Sequence, residues 1–310
     1  MAGSKDPMAT RRLLILFLLL LGACQAPLPK GAEAWSLTGE ALFPPELSLE
    51  LLASREQNLA AARQEQSEHQ DDRDAAIWVG RRLGYLGRYR EAIDVYTRAL
   101  TRWPDDPFLL RHRGHRYLSV REFASARADF DAAAIACRVT PDEIEPDGLP
   151  VPGRPPHSSL HFNVHYHRGL AAFVMGDYSA AEKSWLDCLA VCRNDESRVA
   201  VSHWLWSARM RCGDVAGASA VVAAITPDMD IVENKSYHQL CLLYGGRLGR
   251  AEIHAAEGSS GAALMFGLAH YDFVNGAAES ARRLMAQLVL DAGWSSFGVI
   301  AAESELARAH

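Results

Sequence analysis

The sequence predicts an all-α protein, built as an α-solenoid of antiparallel helical hairpins with capping helices at its ends. Two observations indicate this fold class. A set of small and aromatic residues returns at a fixed interval, and no segment shows sustained alternation of apolar and polar residues. The composition, 310 residues of which 49% are hydrophobic and 23% charged, is that of a folded globular protein. We therefore expect helices throughout and no β-sheet.

The amino-terminal segment has the features of an export signal. Two arginines precede the apolar run 13–21, and small residues and a cysteine follow it. The run is too short for a bilayer core, which takes about 20 residues, but it suits a secretory signal. The order Leu21-Gly22-Ala23-Cys24 resembles the bacterial lipobox. That resemblance implies a signal peptide at residues 1–23, cut before a lipid-bearing Cys24. An ordinary cleaved signal and an uncleaved anchor are the alternatives.

The residue that follows Cys24 also indicates a location. Gln25 stands where enterobacterial lipoproteins of the inner membrane carry Asp, so the resemblance favours the outer membrane, facing the periplasm. Met8 is an alternative start to Met1. Residues 24–45 are rich in Pro, Gly and Ala, and we interpret them as a flexible tether. Apart from the covalent lipid, we expect no cofactor.

Residues 46–72 are predicted to form an amino-terminal capping helix. Leucines at helical spacing occupy its first half. Asp71, Asp72 and Asp74 then crowd the start of the next helix, where acidic groups suit the helix dipole. A terminal repeat exposes its apolar side unless another element covers it, so we expect this helix to close the array.

Residues 73–140 contain two copies of one pattern. The residues Gly80, Ala92, Tyr96 and Ala99 return 34 positions later as Gly114, Ala126, Phe130 and Ala133. This spacing and these residue types resemble the tetratricopeptide repeat (TPR). The small residues allow two antiparallel helices to approach closely, and the aromatic residue fills the gap to the next hairpin.

Residues 162–226 contain two further copies. The third carries Gly169, Gly176, Tyr178, Ala181, Trp185 and Cys188, and the weaker fourth carries Trp206, Gly213, Ala218, Val222 and Ile225. Before them comes an acidic insertion, residues 141–161, that holds six of the fourteen prolines and cannot be a helix interior. It is either a solvated connection or a segment that lines the groove or contacts a partner.

After Pro227 the repeat pattern degrades. Residues 227–310 are predicted to form degenerate helical hairpins, with breaks at Gly245-Gly246 and Asn275-Gly276, and a final capping helix. Lipobox, repeats and closing hairpins together are similar to bacterial TPR lipoproteins, including an enterobacterial envelope adaptor. The resemblance implies a scaffold that brings envelope enzymes together.

The resemblance also implies a partner-binding groove, because the first helix of each TPR hairpin lines a concave face. The matching positions hold Trp78, Arg81, Tyr85, Arg111, His112, His115, Asn163, Tyr166, His167, Phe173, His203 and Trp204. Aromatic and Arg residues are typical binding anchors, so a protein or peptide client is expected. The carboxylate clamp of chaperone-binding members is not reproduced, since its places hold Ile77, Arg81, His112, Asn163 and His167.

Signals of other chemistry are weak. The sequence has no nucleophile elbow, zinc-protease motif or phosphate-binding glycine loop, so we expect no enzymatic activity. His161 and His165, one helical turn apart, are weak candidates for metal ligands. Five cysteines besides Cys24 leave at least one that stays free or pairs between chains, and Cys188 is interpreted as core filler. A net charge of −6 argues against nucleic acid as a partner.

Three functions follow from the sequence. The first is a lipid-anchored scaffold for protein–protein interactions in the bacterial envelope, with a homodimer as one possible arrangement. The second is an envelope protein that binds a glycan or a peptidoglycan fragment, with aromatic groove residues stacking on sugar rings. The third and least favoured is an enzyme without a recognisable motif.

Overall fold

The computed structural model describes residues 27–147, 153 and 155–308. Within these ranges the chain forms thirteen α-helices, a 3₁₀ turn at Arg250–Glu252 and one small β-hairpin. The helices are α1 (Leu49–Glu68), α2 (Arg73–Tyr85), α3 (Tyr89–Leu100), α4 (Pro107–Ser119), α5 (Phe123–Ala136), α6 (Leu160–Val174), α7 (Tyr178–Ala190), α8 (Asp195–Cys212), α9 (Val215–Ala223), α10 (Lys235–Tyr244), α11 (Gly258–Val274), α12 (Ala278–Asp291) and α13 (Phe297–Arg308). The predicted helical array is confirmed.

Helices α2 to α9 form four successive hairpins, and the small residues of the repeat pattern explain how each closes. A Cβ added at Gly80 in α2 would lie 2.2 Å from the ring of Tyr96 in α3. Only a residue without a side chain therefore allows this contact. The same pairing returns in the next two hairpins, between Gly114 and Phe130 and between Gly169 and Trp185.

Helix α1 covers the start of the array. It packs along α2, and Leu59 is its buried residue, while Leu49 and Leu51 are exposed. Ser48 begins the helix by accepting a hydrogen bond from the Leu51 N–H.

The first helices of the four hairpins, α2, α4, α6 and α8, form one face, which we call the inner face. The carboxyl-terminal helices pack against it: α10 and α11 contact α8, and α13 contacts α6 as well as α11 and α12. The array therefore folds back on itself, and its last helices cover much of the inner face.

A β-hairpin corrects two expectations for the amino-terminal segment. Strands β1 (Ala34–Trp35) and β2 (Ala41–Leu42) pair antiparallel around a turn in which Gly39 has φ +91°. The Arg90 N–H and guanidinium donate to Glu33, and Ala34 is fully buried. The expectations of no β-sheet and of a flexible tether are therefore wrong for residues 33–42, because specific contacts hold this segment against the array.

The amino-terminal prediction itself falls outside the described part of the chain. Cys24 and the predicted signal peptide at residues 1–23 lie there. In the ranges that the structure describes, no helix combines the length and the apolar character needed to cross a membrane.

Candidate binding cleft on the inner face

The predicted groove is not open along its length, which corrects the sequence expectation. Eight of its twelve residues are buried: Arg111, His112, Asn163, Tyr166, His167, Phe173, His203 and Trp204. The other four, Trp78, Arg81, Tyr85 and His115, are partly buried. The chain's own insertion and carboxyl-terminal helices cover the buried positions. The TPR pattern places them on the inner face, but it does not reveal what packs there.

The insertion covers the middle of the inner face through Glu145. Its carboxylate, 4% exposed, accepts hydrogen bonds from Arg111 Nε and Nη2 at 3.0 and 2.6 Å and from the Asn163 amide. His112 Nε2 lies 3.5 Å from the same carboxylate. Burial raises the pKa of Glu145, but the charge of Arg111 and the interactions with His112 together outweigh burial, so the net pKa is lowered. Glu145 of the insertion therefore lines the groove, whereas its neighbours Glu143 and Ile144 are exposed.

Helices α10 and α11 cover the far end of the inner face. Trp204 is fully buried, donates from Nε1 to Tyr166 Oη at 2.8 Å, and stacks on Phe266 of α11 with ring centroids 5.4 Å apart. His203 stacks on Tyr237 of α10 at 5.0 Å. These residues belong to the core and do not form a surface for a partner.

One cleft of about 580 Å³ remains between the inner face and the carboxyl-terminal helices. Tyr85, His115 and Tyr166 line it from the inner face, and Tyr237 and Phe297 line it from α10 and α13. The ring of His115 lies 5.1 Å from that of Phe297, so the two walls meet at this point. A volume of this size is typical of ligand pockets. Three of the predicted groove residues therefore contribute to an accessible site.

Arg116 lies in the wall of this cleft and was not among the predicted groove residues. Its guanidinium carbon is 5.2 Å from the ring centroid of Tyr89. A Cβ at Gly84 would stand 2.8 Å from its Nη1, so a glycine on the facing helix makes room for it. The glycine at position 84, one turn beyond Gly80, is the sequence signal that could have pointed to a bulky neighbour.

The electrostatics of Arg116 differ from those of the other buried arginines. Burial lowers its pKa, and the groups that act against this effect are the hydroxyls of Tyr89, Tyr96 and Tyr85, with no carboxylate among the main contributors. Five arginines with mostly buried side chains form ion pairs, namely Arg111 with Glu145, Arg113 with Asp129, Arg121 with Glu303, Arg209 with Glu182 and Arg211 with Glu305. Among the described residues, Arg116 forms no ion pair.

Three helices begin at the opposite wall of the cleft. Ser236 is in the first turn of α10, Ser259 and Ser260 are in that of α11, and Ser296 precedes α13. Helices α10 and α11 start without a side-chain cap on their first N–H groups. Ser236 is 3% exposed, and its Oγ has no hydrogen-bond partner within the described chain.

One acidic residue also lines the cleft. Glu233 lies just before α10, and its Oε1 is 3.9 Å from Nδ1 of His157, a partly buried histidine of the insertion. His115 is neutral, because burial lowers its pKa well below the ordinary value. Arg116 is therefore the cationic side chain of the cleft.

The weak metal candidates are not brought together. His161 Nε2 lies 2.9 Å from the Thr140 carbonyl, and His165 Nδ1 is buried without a hydrogen-bond partner among the described residues. In the described ranges, the group whose ligand atoms lie close enough for a metal is Glu65, Glu68 and His69, which are exposed on α1.

The cysteines of the described ranges are all free. Cys188 is fully buried, and its Sγ donates to the Phe162 carbonyl at 3.5 Å, which fits a packing position between helices. Cys192 lies one turn away, and its Sγ donates to the Cys188 carbonyl.

Comparison with known proteins finds similarity at the level of structure. The chain is similar to the crystal structure of a tetratricopeptide repeat protein from Parabacteroides merdae, with 14% sequence identity and a TM-score of 0.48. The match covers 84% of this chain and 98% of that one. No protein-family model matches the sequence, and no curated protein matches it either.

Proposed function

We propose that this chain is a non-enzymatic binding scaffold that holds a protein client in the cleft between the inner face and the starts of α10, α11 and α13. The aromatic walls support the proposal, since aromatic and Arg residues dominate binding hot spots. The main support is that Arg116, a partly buried cation, forms no ion pair with the described residues. A desolvated charge without a partner is costly to a fold, so a binding role accounts for it better than a structural one.

We further propose that a lipid on Cys24 holds this scaffold at a bacterial membrane, with the outer membrane favoured by Gln25. The support is the lipobox-like order of residues 21–24. The test is to replace Cys24 with Ala in the full chain and measure the incorporation of radiolabelled palmitate. We expect labelling to disappear and the chain to leave the membrane fraction. Unchanged labelling of the variant would refute the anchor.

A second candidate function, the binding of a glycan, draws support from the serine hydroxyls that share the cleft with Tyr85, Tyr237 and Phe297. Rings of this kind can stack on sugars while hydroxyls bind their polar edges. Pull-down of the full chain with purified cell-wall material distinguishes the two, because a scaffold for proteins should not be enriched on it.

The location of client binding can be tested with a photo-crosslinking amino acid in intact cells. Ser259 is exposed and lines the cleft, so a crosslinker placed there should capture a client. Ile135 is exposed on α5, away from the inner face, and serves as the matched control. We expect protein adducts from position 259 and none from 135. Adducts from 135 alone, or from neither position, would overturn the proposal.

A further inference from the structure

We infer that the cleft recognises an oxyanion, a carboxylate or a phosphate, carried by the client and bound at Arg116. This inference deepens the proposed function, on which it rests for the identity of the molecule that carries the group. It does not depend on the lipid anchor.

Arg116 brings a positive charge to the cleft. Arg116 lines a cleft where no described carboxylate pairs with it, whereas the buried Arg111 and Arg121 form ion pairs within the chain. Glu233, the acidic residue of the cleft, is 3.9 Å from His157 and forms no ion pair with Arg116. A guanidinium binds carboxylate and phosphate through two parallel N–H donors, so an oxyanion is the group that it lacks.

The wall of the cleft opposite Arg116 offers hydrogen-bond donors. The first turns of α10 and α11 present N–H groups without side-chain caps, and helix starts favour negative charge. Ser236 adds an independent sign of a missing ligand. Its hydroxyl is 97% buried in the cleft wall and has no partner among the described residues, whereas buried polar groups are normally satisfied. Both walls therefore offer donors, although the Glu196 carboxylate already accepts from the N–H groups of residues 232–234 just before α10.

The cleft also has an apolar part. Tyr85, Tyr237 and Phe297 lie in the same cleft as Arg116. They suit an aromatic or apolar group next to the anion. The cleft is accordingly expected to prefer an oxyanion attached to a ring over a free inorganic ion.

The test uses three small probes with one ring and different charge: phenyl phosphate, benzoate and neutral benzamide. Binding to the full chain in detergent is measured by calorimetry. We expect the two anions to bind at least about ten-fold more tightly than benzamide, which corresponds to about 1.4 kcal/mol. Tighter binding of phenyl phosphate indicates a phosphorylated client, and tighter binding of benzoate indicates an acidic side chain or chain end. Equal binding of benzamide, or no saturable binding of either anion, overturns the inference.

Two variants assign the effect to one residue. Arg116→Met should reduce anion affinity to the benzamide level, while its melting temperature should stay at or above that of the unchanged protein, because a desolvated charge has been removed. Arg98→Met changes the net charge equally at an exposed position of α3 and should bind the anions normally. Undiminished anion binding by Arg116→Met would contradict the inference even if the protein binds oxyanions elsewhere.

The outcomes separate this inference from the proposed function. If the anions bind at Arg116 but crosslinking from Ser259 captures no protein, the oxyanion site stands and the protein-scaffold proposal fails. If crosslinking captures a client whose yield is unchanged in Arg116→Met, the scaffold stands and the oxyanion inference fails.

Discussion

Buried histidines make the stability of this protein sensitive to acid. His270 is fully buried, and neither of its ring nitrogens has a hydrogen-bond partner in the described chain. Burial lowers the pKa of His270 to about 4 and that of His203 to about 3. In the unfolded chain a histidine titrates near 6.5. The unfolded state therefore binds more protons between these values, and stability falls as the pH drops from about 6.5 towards 4.

His270→Leu should reduce this acid sensitivity. The change removes two unsatisfied nitrogens and a titrating group, so stability at pH 7 should be unchanged or higher, and the loss between pH 6.5 and 4 should shrink by on the order of 2–3 kcal/mol. Part of the loss should remain, because burial also lowers the pKa of His112 and His167 to about 3. Urea denaturation at a series of pH values measures this loss of unfolding free energy.

The control for this experiment is His254→Leu, at an exposed histidine whose hydrogen bonds involve its backbone. It should leave the pH profile as it is. If His270→Leu and His254→Leu gave the same profile as the unchanged chain, burial of His270 would not be the source of the effect.

At the scale of helices, the tight contact between paired helices is the feature that the repeat pattern encodes. Ala92 in α3 and Ala126 in α5 are both fully buried between helices. Enlarging Ala92 to Leu should overpack the contact and lower the unfolding free energy by about 1–3 kcal/mol. Thermal melting checks this. Ala53→Leu, on the exposed side of α1, should change the midpoint little, and equal midpoints for both variants would show that this helix contact tolerates extra volume.

The helix contacts differ in how far the sequence predicts them. The close approach of two helices at Gly80 was predictable because the small residues recur with the period of the hairpin. The expectation that Tyr96 fills the gap to the next hairpin did not include its contact with Gly80 of its own hairpin. The covering of Trp204 was not predictable, because periodicity identifies the apolar face of a helix but not the element that packs on it. Trp204 and Tyr166 were therefore expected to be groove anchors, whereas Phe266 of a later helix covers Trp204.

The β-hairpin was missed, and the packing of the predicted insertion stayed open between two alternatives, for a related reason. Their contacts join distant parts of the chain, such as Arg90 with Glu33 and Arg111 with Glu145, and no local pattern reports them. Proline and glycine content predicted irregular backbone correctly but could not indicate that this backbone is packed. Arg116 was missed because its significance lies in a partner that is lacking, which only the surrounding structure reveals.

At the scale of the whole molecule, the described part of the chain forms a closed arrangement, not an open array. Glu303 of α13 is 1% exposed and accepts hydrogen bonds from the Leu37 N–H at 2.7 Å and from Arg121 Nε and Nη2 at 2.8 and 2.6 Å. Trp294, which lies just before α13, donates a hydrogen bond from Nε1 to the Phe43 carbonyl. One carboxylate therefore joins the amino-terminal hairpin, the second repeat and the last helix.

Glu303→Ala should weaken this closure strongly. It leaves the buried Arg121 guanidinium without its carboxylate, which costs about 3–5 kcal/mol. Repeat arrays with contacts between neighbours alone can lose their ends separately. We therefore expect the unchanged chain to unfold in one transition and the variant in two. Far-ultraviolet circular dichroism and tryptophan fluorescence, followed in the same denaturant series, measure the separation.

Glu279→Ala is the matched control, because Glu279 pairs with Arg282 and Arg283 at the exposed surface of α12. It should shift stability by no more than about 0.5 kcal/mol. Coincident transitions in Glu303→Ala at an undiminished midpoint would show that the closure does not hold the molecule together.

The docked hairpin at residues 33–42 also limits how far the molecule can travel. If Cys24 carries a lipid as proposed, the segment between the lipid and the docked part of the chain ends at Glu33 and not at Pro45. Its maximum span is then about 30 Å instead of about 75 Å, since an extended chain covers about 3.5 Å per residue. The cleft would therefore remain within a shallow layer next to the bilayer. A client that is itself anchored in that membrane would meet it there far more often than one that diffuses freely through the compartment.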